Sequence, residues 1–306
     1  MSPYIQSILL GIVEGLTEFL PVSSTAHLRI TEALMKIPLD NAVCSLSNPA
    51  CLGDVAYWRM YTIVIQLGAI IALCILFLSL IVDFMRTFPE GDQRRNSWYN
   101  HPISLTLIAF VFTSIPALLL HKWSEKNLGS LKAIALALLI GGIIMWIVDA
   151  RTSRYEAGTS HVEEMTLLQA IWIGLCQTLS AIFPGTSRSM STIAAGQMVG
   201  LSRPAALEFS FLLSIPTMAA ATVWDLIKEV HGSKSADGAV AAAHVVMNGE
   251  RWIVLLIGTA VSFIVALGVV EWFLHWVRRH GFTMFAIYRI LLGTALLLWG
   301  YKLVGA

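Results

Sequence analysis

Charge is what this sequence holds least of. Aspartate, glutamate, lysine and arginine make up 13% of its 306 residues, about half the roughly 25% of an ordinary soluble domain. The few charges nearly cancel, leaving a formal net charge of +1, so no basic field favours a nucleic-acid partner. Apolar residues reach 57% and mean hydropathy is +0.73. So little polar surface cannot cover that much apolar side chain in water, which excludes a soluble globular fold and points to an integral membrane protein. Several catalytic signatures are missing: G-x-x-x-x-G-K-[ST], H-E-x-x-H and G-x-S-x-G do not occur. No basic stretch precedes the first apolar segment, which itself contains Glu14 and Glu18, so no cleavable signal peptide is evident and insertion is expected from the spans themselves. Cysteine is scarce, with four residues. Cys74 and Cys176 lie in apolar segments and read as small core residues. Cys44 and Cys51 lie in a polar loop, where they are either unrelated thiols or a disulfide in an oxidising compartment.

What is there is a set of long apolar runs. A spanning helix needs roughly 20 mostly apolar residues. Six segments qualify: about Met60 to Val82, Ile103 to Leu120, Leu131 to Val148, Ala205 to Ile227, Trp252 to Val277 and Thr283 to Tyr301. Tyr57, Trp58, Trp123, Trp252, Trp276 and Tyr301 stand near their ends, where interfacial anchors are expected. Polar loops are expected between them, at 83–101, 121–126, 151–164, 228–250 and 278–281, with Ala236 to Val246 a mildly helical part of the fourth.

Two further apolar segments are interrupted. Ile5 to Leu20 runs into Pro21-Val22-Ser23-Ser24 and resumes as Thr25 to Lys36. Thr166 to Phe183 runs into Pro184-Gly185-Thr186-Ser187-Arg188 and resumes as Ser189 to Val199. Proline cannot continue a helix and disfavours helix in the residue before it. Each segment therefore reads as a re-entrant pair of half-helices with a polar break at depth, tolerated where it lines a cavity or is buried in protein. The competing reading is a bundle in which both segments cross fully. Sliding the chain by 163 positions puts Gly11 on Gly174, Leu16 on Leu179, Pro21 on Pro184, Glu14 on Gln177 and Ser24 on Ser187. Three full spans lie between the breaks, an odd number, so the two would enter from opposite faces. The expected fold is an all-α integral membrane protein of six transmembrane helices plus two re-entrant helix pairs, arranged as inverted-topology repeats. It forms a single membrane domain over 1–306, with repeat 1 at about 1–120 and repeat 2 at about 131–306. Compact basic clusters at 83–101, 151–164 and 278–279 lean toward that face being cytoplasmic. The loop holding Cys44 and Cys51 would then lie outside.

The breaks carry the chemistry. Glu14 and Glu18 are four apart and share a helix face. Each ionisable group in a membrane helix costs roughly 2.5–3.5 kcal/mol and usually marks function. Together they suit a metal site, or a base beside a metal ligand; hard oxygen ligands favour magnesium or calcium over zinc. The structural alternative is that they pair with a neighbouring arginine. Ser23, Ser24 and Thr25 open a new helix whose free N–H groups attract anions, and one hydroxyl would suffice as a cap. His27 lies about one turn past Ser24, a spacing that suits nucleophile and acid/base, against the alternative of a structural histidine. The second break has no carboxylate. It offers Arg188, whose planar fork suits phosphate, hydroxyls at Thr186, Ser187, Ser189, Ser191 and Thr192, and Gly185, which lets backbone approach a ligand. If the breaks meet, carboxylates and a cation with hydroxyl donors combine as metal-assisted attack on a phosphoryl group requires.

One class of membrane lipid phosphatase is disfavoured: Ala194 stands where it carries a histidine, and P-V-S-S-T-A-H replaces its P-S-G-H element. E-G-L-T-E-F-L-P-V-S-S-T-A-H (Glu14 to His27) and P-G-T-S-R-S-M-S-T (Pro184 to Thr192) instead closely resemble the signature motifs of bacterial undecaprenyl-diphosphate phosphatases of the bacitracin-resistance type. V-I-Q-L-G-A-I (Val64 to Ile70) and L-S-R-P-A-A-L-E-F-S-F-L-L-S-I-P (Leu201 to Pro216) resemble that family too. Ala26 stands where the family usually has glycine, which crowds the first break, and the loops Pro38 to Asp54 and His231 to Glu250 match nothing known of it.

The resemblance implies hydrolysis of undecaprenyl diphosphate to the monophosphate carrier used in peptidoglycan synthesis, in the bacterial cytoplasmic (inner) membrane, at a site reached from the outer, periplasmic face. It implies Glu14 and Glu18 as motif glutamates and metal ligands for a divalent cation, Mg2+ or Ca2+. It implies Ser24 as nucleophile, His27 as acid/base and Arg188 as the phosphate-binding arginine. Ser23, Thr25, Ser187, Ser189 and Thr192 match supporting hydroxyl positions. The partners implied are a prenyl diphosphate lipid and the surrounding membrane lipid, with a homodimer left open. The competing function is a transporter or flippase for an anionic prenyl lipid, which the same inverted architecture would serve.

Overall fold

The computed structural model describes residues 1–37, 49–89, 98–128, 130–152, 158–230 and 247–303. Cys44, the loop residues 90–97 and the stretch Ala236 to Val246 lie outside them, so the Cys44–Cys51 pairing and the helical reading of that stretch do too. The described residues form α1 (Pro3–Thr17), α2 (Ser24–Leu34), α3 (Pro49–Leu76), α4 (Leu78–Thr87), α5 (Pro102–Leu128), α6 (Leu131–Thr152), α7 (Leu167–Ile182), α8 (Arg188–Met198), α9 (Arg203–Val230), α10 (Gly249–His280) and α11 (Thr283–Leu303). The one β-type pairing among them is an isolated bridge between Thr159 and Leu201.

Six of these helices are long and apolar enough to cross a membrane: Gly53–Leu76, Pro102–Leu120, Leu131–Thr152, Arg203–Ile227, Gly249–His280 and Thr283–Gly300. The chain is thus an all-α, multi-pass membrane protein. Several expected boundaries move, among them the start of the loop expected at 83–101, since α4 runs to Thr87. The first span ends at Leu76 and starts earlier than Met60, because Trp58 packs edge-on against both Tyr57 and Tyr61 in the interior instead of anchoring at an interface. Residues 121–126 are helical, not loop, since Ser124 at the end of α5 donates a hydrogen bond to the carbonyl of Ile182 where α7 stops. Residues 278–280 complete α10; Arg278, Arg279 and His280 suit its negative C-terminal end, and Gly281 stops it with φ 68°.

Packing pairs the helices about a pseudo-two-fold. α1 packs on α10 as α7 packs on α5, α10 on α3 as α5 on α9, and α2 on α11 as α8 on α6. The self-paired contacts are α3 with α9 and α6 with α11. Gly11 faces the Gly258 carbonyl of α10, and Gly174 faces the Ala109 carbonyl of α5, so both half-helices dock where a side chain is missing. These pairings match only if the chain divides between α6 and α7. The boundary expected near 120–131 therefore shifts by one helix, because α6 packs as the counterpart of α11. The most enclosed span is α9, whose Phe209, Phe211 and Leu213 sit in the main core.

Candidate active site

Both expected breaks occur, and each ends in the same device. α1 stops at Thr17, the chain turns through Pro21 and Val22, and α2 begins at Ser24. α7 stops at Ile182, and α8 begins at Arg188. The N-cap serines Ser23 and Ser187 both hold positive φ, 75° and 72°. Non-glycine residues seldom adopt this region, and such strain collects at functional turns. Each caps its helix: Ser23 Oγ accepts from the Ala26 N–H at 3.4 Å, and Ser187 Oγ from the Met190 N–H at 3.3 Å. The remaining first-turn N–H groups have no intrahelical acceptor and favour an anion. Gly185, with φ 96°, is the extra residue of the second break; a Cβ there would lie 2.6 Å from the Ile134 carbonyl oxygen. The insertion shifts the repeat by one position, so Ser187 matches Ser23, and Arg188, not Ser187, matches Ser24.

The breaks meet at Glu18. Ser24 Oγ donates to Glu18 Oε2 at 2.5 Å, and Arg188 Nη2 donates to Glu18 Oε1 at 3.4 Å. The arginine lies over the Phe19 ring, 5.8 Å from its centroid. Ser189 Oγ donates to the Leu20 carbonyl at 3.0 Å and shares a hydrogen bond with Ser187 Oγ. Glu14 is fully buried on the preceding turn, and among the described residues neither of its carboxylate oxygens has a hydrogen-bond partner. Arg188 Nε and Nη1 are likewise buried without an acceptor. A buried unpaired charge is costly, so the Glu14 carboxylate and the free edge of Arg188 are the groups here that most need a counter-charge.

Other expected site residues do different work. His27 does not reach Ser24. Its Nδ1 lies 2.7 Å from the Ser23 carbonyl oxygen, which can only accept, so Nδ1 carries the proton. Nε2 then accepts from the Tyr288 hydroxyl at 2.6 Å, with the two rings stacked. Thr192 Oγ1 turns inward to the Arg188 carbonyl and to Ser210 Oγ of α9, so it steadies the arginine's helix instead of facing a ligand. Thr25 is exposed on the first turn of α2.

A model of the family described as bacitracin resistance protein BacA matches residues 7–295. The chain belongs to the BacA family. It is 53% identical over 302 residues to an undecaprenyl-diphosphatase of Koribacter versatilis, covering 99% of this chain and 100% of that one. It is 40% identical to an undecaprenyl-diphosphatase of Sorangium cellulosum, with 97% and 86% covered, and 38% identical to one of Caldanaerobacter subterraneus subsp. tengcongensis, with 97% and 96% covered.

Two residues of this BacA-family site escaped the sequence reading. Arg289 of α11 is fully buried and donates to the carbonyls of Pro21 at 3.1 Å, Thr186 at 2.8 Å, Gly185 at 3.2 Å and Ala137 at 3.3 Å. It satisfies acceptors that both breaks release and clamps them together. The signal was present: an arginine amid the apolar run of the last span requires a partner. Tyr288, the other, had no signal, since a tyrosine within a span is ordinary.

Proposed function

We propose that the chain hydrolyses undecaprenyl diphosphate to undecaprenyl phosphate and inorganic phosphate, recycling the lipid carrier for cell-wall synthesis. The observation that carries this reading is the convergence of Ser24 and Arg188, from two broken helices, on the single carboxylate Glu18. The named activity of relatives aligned along nearly the whole chain supports it.

Arg188 turns its free guanidinium edge to the terminal phosphate, and the N-terminal amides of α2 and α8 add donors. Glu18 takes the Ser24 proton as the oxygen attacks the terminal phosphorus. The bond from phosphorus to the bridging oxygen breaks, its electron pair leaves with the prenyl phosphate, and water then releases phosphate from the serine. His27, neutral and held by Ser23 and Tyr288, is the acid/base left to take a proton from the water that releases phosphate.

Glu14 and Glu18 fit a divalent cation, Mg2+ or Ca2+. Among the described residues no group of three or more His, Cys, Asp or Glu converges, so phosphate oxygens and water would complete the shell. That is how magnesium is usually bound, through one or two carboxylates plus substrate phosphates. When bound, the ion neutralises charge developing on the phosphoryl oxygens.

As part of the same reading, the two broken helices are re-entrant pairs entering from opposite faces of the bacterial inner membrane. The site opens to the periplasmic side, and the assembly is a homodimer. Cysteine accessibility mapping from either side tests the placement, and sedimentation in detergent tests the assembly.

The test is phosphate release from undecaprenyl diphosphate by the purified chain, with and without chelator, beside Ser24→Ala and Arg188→Ala. Release that depends on divalent cation and collapses in both variants supports the phosphatase. No release from a folded wild type that still binds the lipid would leave a carrier for an anionic prenyl lipid as the better account.

A further inference from the structure

An open groove lies between α6, α7 and α8, with a cavity of about 450 Å³. The pseudo-two-fold explains why it is open. Ser187 matches Ser23, so Ser191 matches His27, four residues on in each half-helix. Gly142 rests on Ala286 and Ile290, and Gly293 rests on Ala135 and Leu139, in mirrored contacts that pair Gly142 with Gly293. Ala137 therefore matches Tyr288, five residues before each glycine. In one half Tyr288 stacks on His27, ring centroids 5.6 Å apart, and so bridges α11 and α2. In the other half Ala137 and Ser191 stand in those places, and both line the groove.

We propose that this groove seats the part of the prenyl chain next to the diphosphate. The proposal rests on the prenyl-diphosphate reading above and adds to it the place where the lipid lies. The groove is polar only at the second break, where Thr186 and Ser191 line it, and Ser191 is one turn beyond Arg188. Beyond that end it is apolar. Its rim residues Ile140, Leu179 and Met198 are exposed on the outer face of the bundle, so a long chain can leave sideways into lipid. The volume falls within the roughly 300–1,000 Å³ of small-ligand pockets, room for a segment and not for a whole polyprenyl tail.

Cys176 supplies the probe. It is a free, half-buried thiol of α7 on the groove wall, and Cys74, the equally half-buried thiol of α3, serves as internal reference. The full chain in detergent is alkylated with an apolar maleimide, and each cysteine is read by peptide mass spectrometry. Undecaprenyl diphosphate should slow labelling of Cys176 by about tenfold, inorganic diphosphate should not, and Cys74 should be unaffected by either. In a second arm, Leu179→Trp narrows the groove from its exposed rim. It should raise KM for undecaprenyl diphosphate about tenfold at unchanged kcat, and leave a diphosphate carrying a single isoprene unit unaffected. Unchanged Cys176 labelling together with an unchanged KM overturns the groove, while phosphate release by the wild type would keep the phosphatase reading. Protection of Cys176 in a wild type that releases no phosphate would keep the groove and overturn the phosphatase.

Discussion

Ser24 and Arg188 occupy the same position in two half-helices. Each is the first residue after a serine of positive φ, and each turns its side chain onto Glu18, at 2.5 and 3.4 Å. A duplicated turn thus carries a serine in one copy and an arginine in the other, with one carboxylate joining them; in the proposed reaction these are the nucleophile and the phosphate ligand. Glu18→Gln keeps the shape but cannot take the serine proton. It should lower kcat by about 10²–10⁴-fold with a much smaller change in KM, read by phosphate release.

Arg188 has a structural duty as well, since it is the cation beside Glu18 and near fully buried Glu14. Arg188→Ala strands these carboxylates and should cost about 3–5 kcal/mol of stability, measured by thermal unfolding in detergent. Arg188→Lys keeps the charge and should unfold near the wild-type temperature, yet lose turnover because a point charge cannot fork onto phosphate. If the lysine variant turned over normally, a forked phosphate contact would not be the arginine's contribution.

Arg289 makes the complementary prediction. Arg289→Met leaves the carbonyls of Pro21, Gly185 and Thr186 buried without this donor. At about 1–3 kcal/mol for each buried group left unpaired, the unfolding midpoint should fall further than in Glu18→Gln. Activity should fail with it, because both breaks are held by this one side chain. A variant that keeps the wild-type midpoint would show that the breaks stand without the clamp.

Much of this was legible beforehand, for physical reasons. Apolar length marks a span whatever it packs against, and proline followed by serine marks a break, so the six spans and the two breaks were legible, with Glu14, Glu18, Ser24 and Arg188 as candidates beside the breaks. The partners of those side chains did not. The spacing of Ser24 and His27 suggested a pair, but the strained backbone at Ser23 brings its own carbonyl to the imidazole and turns the ring to Tyr288, 261 residues away. Thr192 shares the motif of the second break, yet helical phase carries it into α9. The repeat boundary was misplaced because α6 and α11 share geometry without obvious sequence likeness.

The His27–Tyr288 contact separates holding from chemistry. Tyr288→Phe removes the hydroxyl that donates to Nε2 but keeps the stacked ring, so the imidazole stays in place with one hydrogen bond fewer. Its loss in kcat should be about tenfold, the scale of a single hydrogen bond. His27→Ala removes the acid/base itself and should lose about 10²–10⁴-fold. Equal losses in the two variants would make Tyr288 part of the proton path and not a support for it.

Metal dependence decides the role of Glu14, whose two buried oxygens have no hydrogen-bond donor among the described residues. Glu14→Gln removes the charge while keeping the volume. If the carboxylate holds a cation, the magnesium concentration for half-maximal turnover should rise by at least about tenfold, and saturating metal should restore part of the rate. If Glu14 is a structural counterion to Arg188, the metal titration should stay where it is and the loss should appear as a lower unfolding midpoint. The two roles move different readouts, so one titration and one melt assign the residue.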